Sequence, residues 1–162
     1  MPNYKAHLVG GTVSFCLVLW ATSFIPTLAV PFDHLIWAFA LCLIGSLFPD
    51  IDVPSKIQRL FFVVSTGGVF YCLLKQQLRF FSFFAIAILF VTFLTHRTIT
   101  HKPFFLIALA LIPTMSICSF FPHHAFLAFG LYLYFTVGCL SHIFLDRLQT
   151  RIKRFFCKNR RF

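Results

Sequence analysis

The sequence predicts an all-α integral membrane protein, a bundle of about six transmembrane helices, or four if two segments fail to cross, with both termini cytoplasmic. Three observations carry that reading. The 162 residues are 59% hydrophobic and only 11% charged, where a soluble domain is roughly half apolar and about a quarter charged. The mean hydropathy is +0.88, and a chain this small has too little interior to hide the excess, which must face lipid. The apolar residues also come in long runs without the polar–apolar alternation of barrel strands. Backbone groups in lipid need hydrogen bonds within their own segment, so helices remain. The 25 Phe decide little, because Phe is an ordinary lipid-facing residue.

The runs cover 8–30, 35–48, 60–74, 80–95, 104–121 and 125–145. A full span takes about 17–25 residues, which the first, fifth and sixth supply. The second, third and fourth need their flanks or a thinned bilayer. The 60–74 segment is the weakest and can also be read as re-entrant. The first run follows Lys5 in the manner of a secretory leader, but it is too long for a typical h-region and no small-x-small site ends it. A retained helix is therefore expected. Short connections leave no room for a second domain. Residues 1–146 are expected to form a polytopic helical membrane domain and 147–162 a basic cytoplasmic tail. The six Cys are scattered without a C-x-x-C, and most sit in apolar runs, so neither a disulfide framework nor a thiolate metal site is expected.

The charge is lopsided: 14 Lys and Arg against four Asp and no Glu, a net +10. Such a balance can mean nucleic acid. Half of these cations, however, follow Asp146, as Arg147, Arg151, Lys153, Arg154, Lys158, Arg160 and Arg161. A basic stretch after an apolar span reads as a topology signal and an attraction to anionic lipid before it reads as nucleic-acid binding. With six spans, one side collects Lys5, Lys56, Arg59, Arg97, Lys102 and the tail, and the other only Lys75 and Arg79. Cations near span ends stay in the cytoplasm, which places both termini there.

Ionisable residues at membrane depth are costly and usually functional. Here they gather in four places: His7 before the first helix, Asp50 and Asp52 in Leu47-Phe48-Pro49-Asp50-Ile51-Asp52, His96 and His101 in His96-Arg97-Thr98-Ile99-Thr100-His101, and His142 with Asp146 in Ser141-His142-Ile143-Phe144-Leu145-Asp146. The topology, drawn from Lys and Arg alone, puts all four at the cytoplasmic face. His142 and Asp146 are i and i+4, on one helix face about 6 Å apart along the axis. His96 and His101 are i and i+5, so one belongs to a helix end and the other to its loop, with Pro103 opening the next helix. Singly, each has an ordinary explanation: a D-x-D after a helix is commonly a solvated cap, and a His/Asp pair a helix-end hydrogen bond. Jointly, in a chain this poor in polar groups, they favour a metal or catalytic site. Imidazole and carboxylate without thiolate suit zinc, slightly favoured, or manganese or iron, as one or two ions. Arg97 and Lys102 flank the histidines and can hold an anionic group. Asp33, His34, His123 and His124 fall on the opposite side, as interfacial residues.

At these four places the chain resembles the YdjM-like family of bacterial inner-membrane proteins, described as membrane-bound metal-dependent hydrolases. The family pattern is an N-terminal His, a Leu-Pro-Asp-Ile-Asp-like turn, a His-Arg-Gly-x-Thr-His-Ser stretch and a Ser-His-x-x-x-Asp helix. The chain carries these in order, with Thr98 in place of the Gly and Lys102 in place of the Ser. Neither departure touches a proposed ligand. The resemblance implies a multi-pass protein of the bacterial inner membrane with hydrolase activity. It names no substrate.

The expected function is therefore a membrane-bound metal-dependent hydrolase. Its metal ligands would be drawn from His7, Asp50, Asp52, His96, His101, His142 and Asp146. A membrane-proximal ester, phosphoester or lipid would be cleaved by metal-activated water. Asp50 or Asp52 would serve as general base and Arg97 would steady negative charge. One alternative is a divalent-metal transporter, against which stands the lack of ionisable groups at mid-depth. Another is a non-catalytic membrane protein with a structural metal site. Intramembrane zinc proteases use H-E-x-x-H, and this chain has no Glu. Lipid phosphatases of the vanadium-haloperoxidase type share His-x-x-x-Asp but need a Pro-Ser-Gly-His absent here.

Overall fold

The computed structural model describes residues 4–25, 29–52, 55–76, 85–86, 88–89 and 102–159. Their regular structure is helical, with no strand among the described residues. The helices are α1 (Tyr4–Thr22), α2 (Leu35–Leu47), α3 (Lys56–Leu74), α4 (Pro103–Phe120) and α5 (Ala125–Asn159), joined in places by single-turn 3-10 helices at Phe32–His34, Phe48–Asp52 and Pro122–His124. Four stretches, Tyr4–Thr22, Phe32–Ile51, Lys56–Leu74 and Pro122–Phe156, are long and apolar enough to cross a membrane. Large apolar side chains such as Trp20, Trp37, Val63 and Leu74 stand exposed on them, where the composition requires lipid contact. The protein is an all-α membrane protein.

Two of the short runs gain length from local chemistry. The 3-10 turns at each end of α2 prolong it into a 20-residue stretch. α3 begins at Lys56 rather than residue 60 because Ser55-x-x-Gln58 is a capping-box sequence. The Ser55 hydroxyl accepts from the Gln58 amide at 3.2 Å, so a polar first turn precedes the apolar run. At 19 residues, α3 is about 28 Å long, close to the hydrocarbon thickness of about 30 Å. The 80–95 run lies almost wholly outside the described residues. The last helix does not stop at 145 but continues unbroken to Asn159.

The chain divides into two compact units, one of Met1–Pro49 with Pro103–Phe162 and one of Asp50–Lys102. In the second unit α3 ends where Gln76 adopts a left-handed φ of 54°, a common way to stop a helix. In the first unit α5 is central, with α1, α2 and α4 packed against it. Small residues set the spacing, as is usual for helices in lipid. A Cβ at Gly45 of α2 would run into the carbonyl of Phe135, and one at Gly138 of α5 into the carbonyl of Cys42, so α2 and α5 meet backbone to backbone. α1 closes on α2 at Gly11, where an added Cβ would stand 2.7 Å from the Ser46 hydroxyl, and the Cys42 thiol donates to the Gly11 carbonyl at 3.3 Å.

Val18, Val30, Ala38, Cys42 and Tyr134 form one core cluster, and Leu106, Cys139 and Ile143 a second. These pairings fix direction. Thr22, at the end of α1, meets Tyr134, hydroxyl to hydroxyl, at 3.4 Å, while His7, near its start, meets His142. α1 is thus antiparallel to α5, and α2, whose Ser46 also reaches His142, is parallel to it. Leu106, early in α4, packs on Cys139 and Ile143. The start of α1, the end of α2, the start of α4 and the His142–Asp146 stretch therefore share one end of the first unit.

Candidate metal centre

The close approaches deliver the histidines. His7 and Gly11, Cys42 and Ser46, and Gly138 and His142 are each i, i+4 pairs, on one face of α1, α2 and α5 respectively. The small residue of each pair lets its helix close, and the other lands one turn nearer the end of the bundle. His7 and His142 are buried there, 1% and 0% exposed. Their rings stack with centroids 3.8 Å apart and planes 12° from parallel.

The Ser46 carbonyl lies 2.8 Å from His142 Nδ1. A carbonyl only accepts, so Nδ1–H is the donor and the lone pair of the neutral ring resides on Nε2. Ser46 sits in the last turn of α2, just before the 3-10 turn Phe48–Asp52. Pro49, three residues on, has no N–H to offer. A backbone carbonyl behind one ring nitrogen is the usual backing of a histidine that ligates through the other.

Asp146 spans the two rings. Its Oδ2 lies 3.6 Å from His142 Nε2 and its Oδ1 3.7 Å from His7 Nε2, with the carboxylate side chain 22% exposed. Both distances exceed an ordinary hydrogen bond. They match the separation of two ligands on one tetrahedral zinc, about 3.4 Å for bonds of about 2.0–2.2 Å. Asp50, half-buried in the turn that ends α2, offers a carboxylate oxygen, and the donor atoms of His7, Asp50 and His142 all lie within 4.8 Å of one another, a group that can hold a metal ion. The donors are imidazole and carboxylate, the fixed tautomer aims the correct nitrogen, and the spacing accommodates an ion. The residues present fit a divalent metal.

Four of the seven expected ligands thus have described side chains, and these converge. Asp52 closes the Phe48–Asp52 turn, but its side chain is outside the described set, and so are His96, Arg97 and His101 entirely. Lys102 stands exposed immediately before α4. Ser141 of the Ser-His-x-x-x-Asp motif turns to its own helix, donating to the Gly138 carbonyl at 2.7 Å. Asp33 contacts His34 at 3.0 Å in the turn before α2, at the other end of that helix, and His123 and His124 stand exposed in the turn before α5. The Ser46 carbonyl was not foreseen. Its only trace in the sequence is the small pair Gly45-Ser46 before Pro49.

A family model described as YdjM inner membrane protein matches residues 1–156. The chain belongs to that family. It is an inner-membrane protein, in agreement with its apolar helices. No curated protein and no solved structure matches it. Across this YdjM-family chain the match takes in every element that brings His7, His142 and Asp146 together.

Proposed function

We propose that the protein is a membrane-bound metal-dependent hydrolase acting at the cytoplasmic face on an ester or phosphoester close to the bilayer. The observation that carries this is the Asp146 carboxylate set 3.6 and 3.7 Å from two stacked, buried imidazoles, one of them oriented by the Ser46 carbonyl. His7, His142 and Asp146 would hold the ion, with Asp50 as a further ligand or as general base. A bound divalent ion supplies Lewis acidity and acidifies water near neutral pH. Asp52 and, in the His96-to-His101 stretch, Arg97 are the chain's remaining candidates for proton transfer and for binding an anionic group. Zinc is slightly preferred over manganese or iron from the donor set.

One observation favours a second reading, a structural metal. Both rings are essentially inaccessible, and structural sites are closed where catalytic ones keep an open position. The partial exposure of Asp146 and Asp50 is the opening on which catalysis depends. Metal analysis of purified protein in lipid nanodiscs, with hydrolysis of a panel of phosphoesters and lipid phosphates, separates the two. Bound metal and turnover that are both lost in His142→Ala establish the hydrolase. Metal lost without turnover in the parent establishes the structural role. Unchanged metal content in His142→Ala and Asp146→Asn removes the site altogether.

A further inference from the structure

α3 carries two cations and an apolar wall on one side. Lys56 and Arg59 are i and i+3, and Phe62 and Val63 follow three and four residues after Arg59, on the same side of the helix. With Ser55 and Gln58 these four line a cavity of about 480 Å³, within the usual range for a small-ligand site. The lining changes character along the helix. Ser55, Lys56, Gln58 and Arg59 form its polar end, where α3 starts, and Phe62 and Val63 lie about 5–10 Å further along the axis. Lys56 and Arg59 are exposed, and neither joins an ion pair among the described residues.

We propose that this cavity binds one anionic phospholipid of the surrounding bilayer, with the phosphate between Lys56 and Arg59 and the upper part of an acyl chain against Phe62 and Val63. The depths agree. α3 is 19 residues long and apolar enough to cross, so Lys56 stands at the edge of the hydrocarbon and Phe62 about 9 Å inside it. The long stems of Lys56 and Arg59 carry their charges outward to phosphate level. Charge and polarity together select the occupant. A soluble phosphate would satisfy the cations but leave the Phe62–Val63 wall unfilled. Phosphatidylcholine would fill the wall, but its own choline already neutralises its phosphate. A second copy in a two-fold contact would set Lys56 and Arg59 against the same pair. Retention of cations at span ends asks only that they lie on one side of the membrane; it does not bring two of them to one cavity above an apolar wall. The inference does not depend on the hydrolase reading.

The test is fluorescence quenching of the full-length protein by brominated lipids in nanodiscs. Trp20→Phe and Trp37→Phe remove the two native tryptophans, and Phe62→Trp then places a single one at the cavity. Each cation near the surface is worth about 5-fold in affinity for an anionic lipid, so brominated phosphatidylglycerol should bind beside this tryptophan about 25-fold more tightly than brominated phosphatidylcholine. Val64 is exposed and lies about 160° round the helix from Phe62. Val64→Trp in the same background therefore reports ordinary surrounding lipid at nearly the same depth, and should show only the weaker general preference of a basic protein. In Lys56→Gln/Arg59→Gln the preference at Phe62→Trp should fall to that level. Unchanged quenching of Val64→Trp by brominated phosphatidylcholine will show that the double variant inserts normally. Equal preference at the two positions overturns the proposal, and so does a preference that survives in Lys56→Gln/Arg59→Gln. Loss of the preference on adding inorganic phosphate, but not chloride of equal ionic strength, overturns it in favour of a soluble anion. Shielding of Phe62→Trp from both lipids overturns it in favour of a protein surface.

Discussion

Two imidazoles stacked at 3.8 Å set the electrostatics of the centre. Both rings face one carboxylate, at 3.7 and 3.6 Å, and the neutral imidazole is the form that ligates metal. Asp146 is then the charged partner the site needs for a cation. Replacing it with Asn keeps the volume and removes the charge. The expected outcome is a loss of metal affinity of at least about 10–100-fold, the range seen when a ligand's hydrogen-bonding partner alone is lost, read by competition with a chromogenic chelator. Asp33→Asn, at the far end of α2, should leave affinity unchanged. The His142/Asp146 pair was legible as residues because i, i+4 spacing on a helix fixes a shared face before any tertiary contact exists. The Ser46 carbonyl was not, since a backbone oxygen is present at every position and only the packing of α2 on α5 selects one.

At the level of elements, glycine contacts decide how closely the ligand-bearing helices approach. Gly45→Ala must push its methyl group into the Phe135 carbonyl, and Gly138→Ala into that of Cys42; backbone cannot rotate away as a flexible side chain would. Each should destabilise the protein by about 1–3 kcal/mol, the usual cost of overpacking, and weaken metal binding as well, because separating α2 from α5 stretches the Ser46–His142 hydrogen bond. Thermal unfolding in detergent with parallel metal titration reads both effects. Gly67, within α3, has nothing within 4 Å of an added Cβ, and Gly67→Ala should be neutral or stabilising by up to about 1 kcal/mol through helix propensity. The same contrast shows what the sequence could convey about elements. Hydropathy located the five described helices, but α1 closes at Thr22, short of the run's end at 30, and the 80–95 run lies almost wholly outside the described residues. The helix ends were set by features outside hydropathy: the Ser55–Gln58 cap that starts α3 early, and the basic but helix-favouring residues that carry α5 past 145.

For the molecule as a whole, the arrangement of the first unit constrains how often the chain crosses. α2 ends and α4 begins at the same end of that unit, so the intervening 50–102 stretch must return to the side it left. An even number of crossings by that stretch is the expectation, and it would keep the charge-based topology intact. α3 is 19 residues long and apolar enough to cross, which favours two crossings and six spans. The charge bias predicts that the turn at Lys75 and Gln76 faces the periplasm and that Lys5, Lys56, Arg59 and the seven basic residues after Asp146 stay inside, by retention of cations. Alkaline phosphatase fused after Gln76 should therefore be active, and the same enzyme fused after Phe162 inactive, with fluorescent-protein fusions giving the opposite pattern. Inactive phosphatase at both positions would reduce the protein to four spans without moving the metal centre from the cytoplasmic face. An active fusion after Phe162 would place that centre in the periplasm and remove the cytoplasmic side from the proposed chemistry.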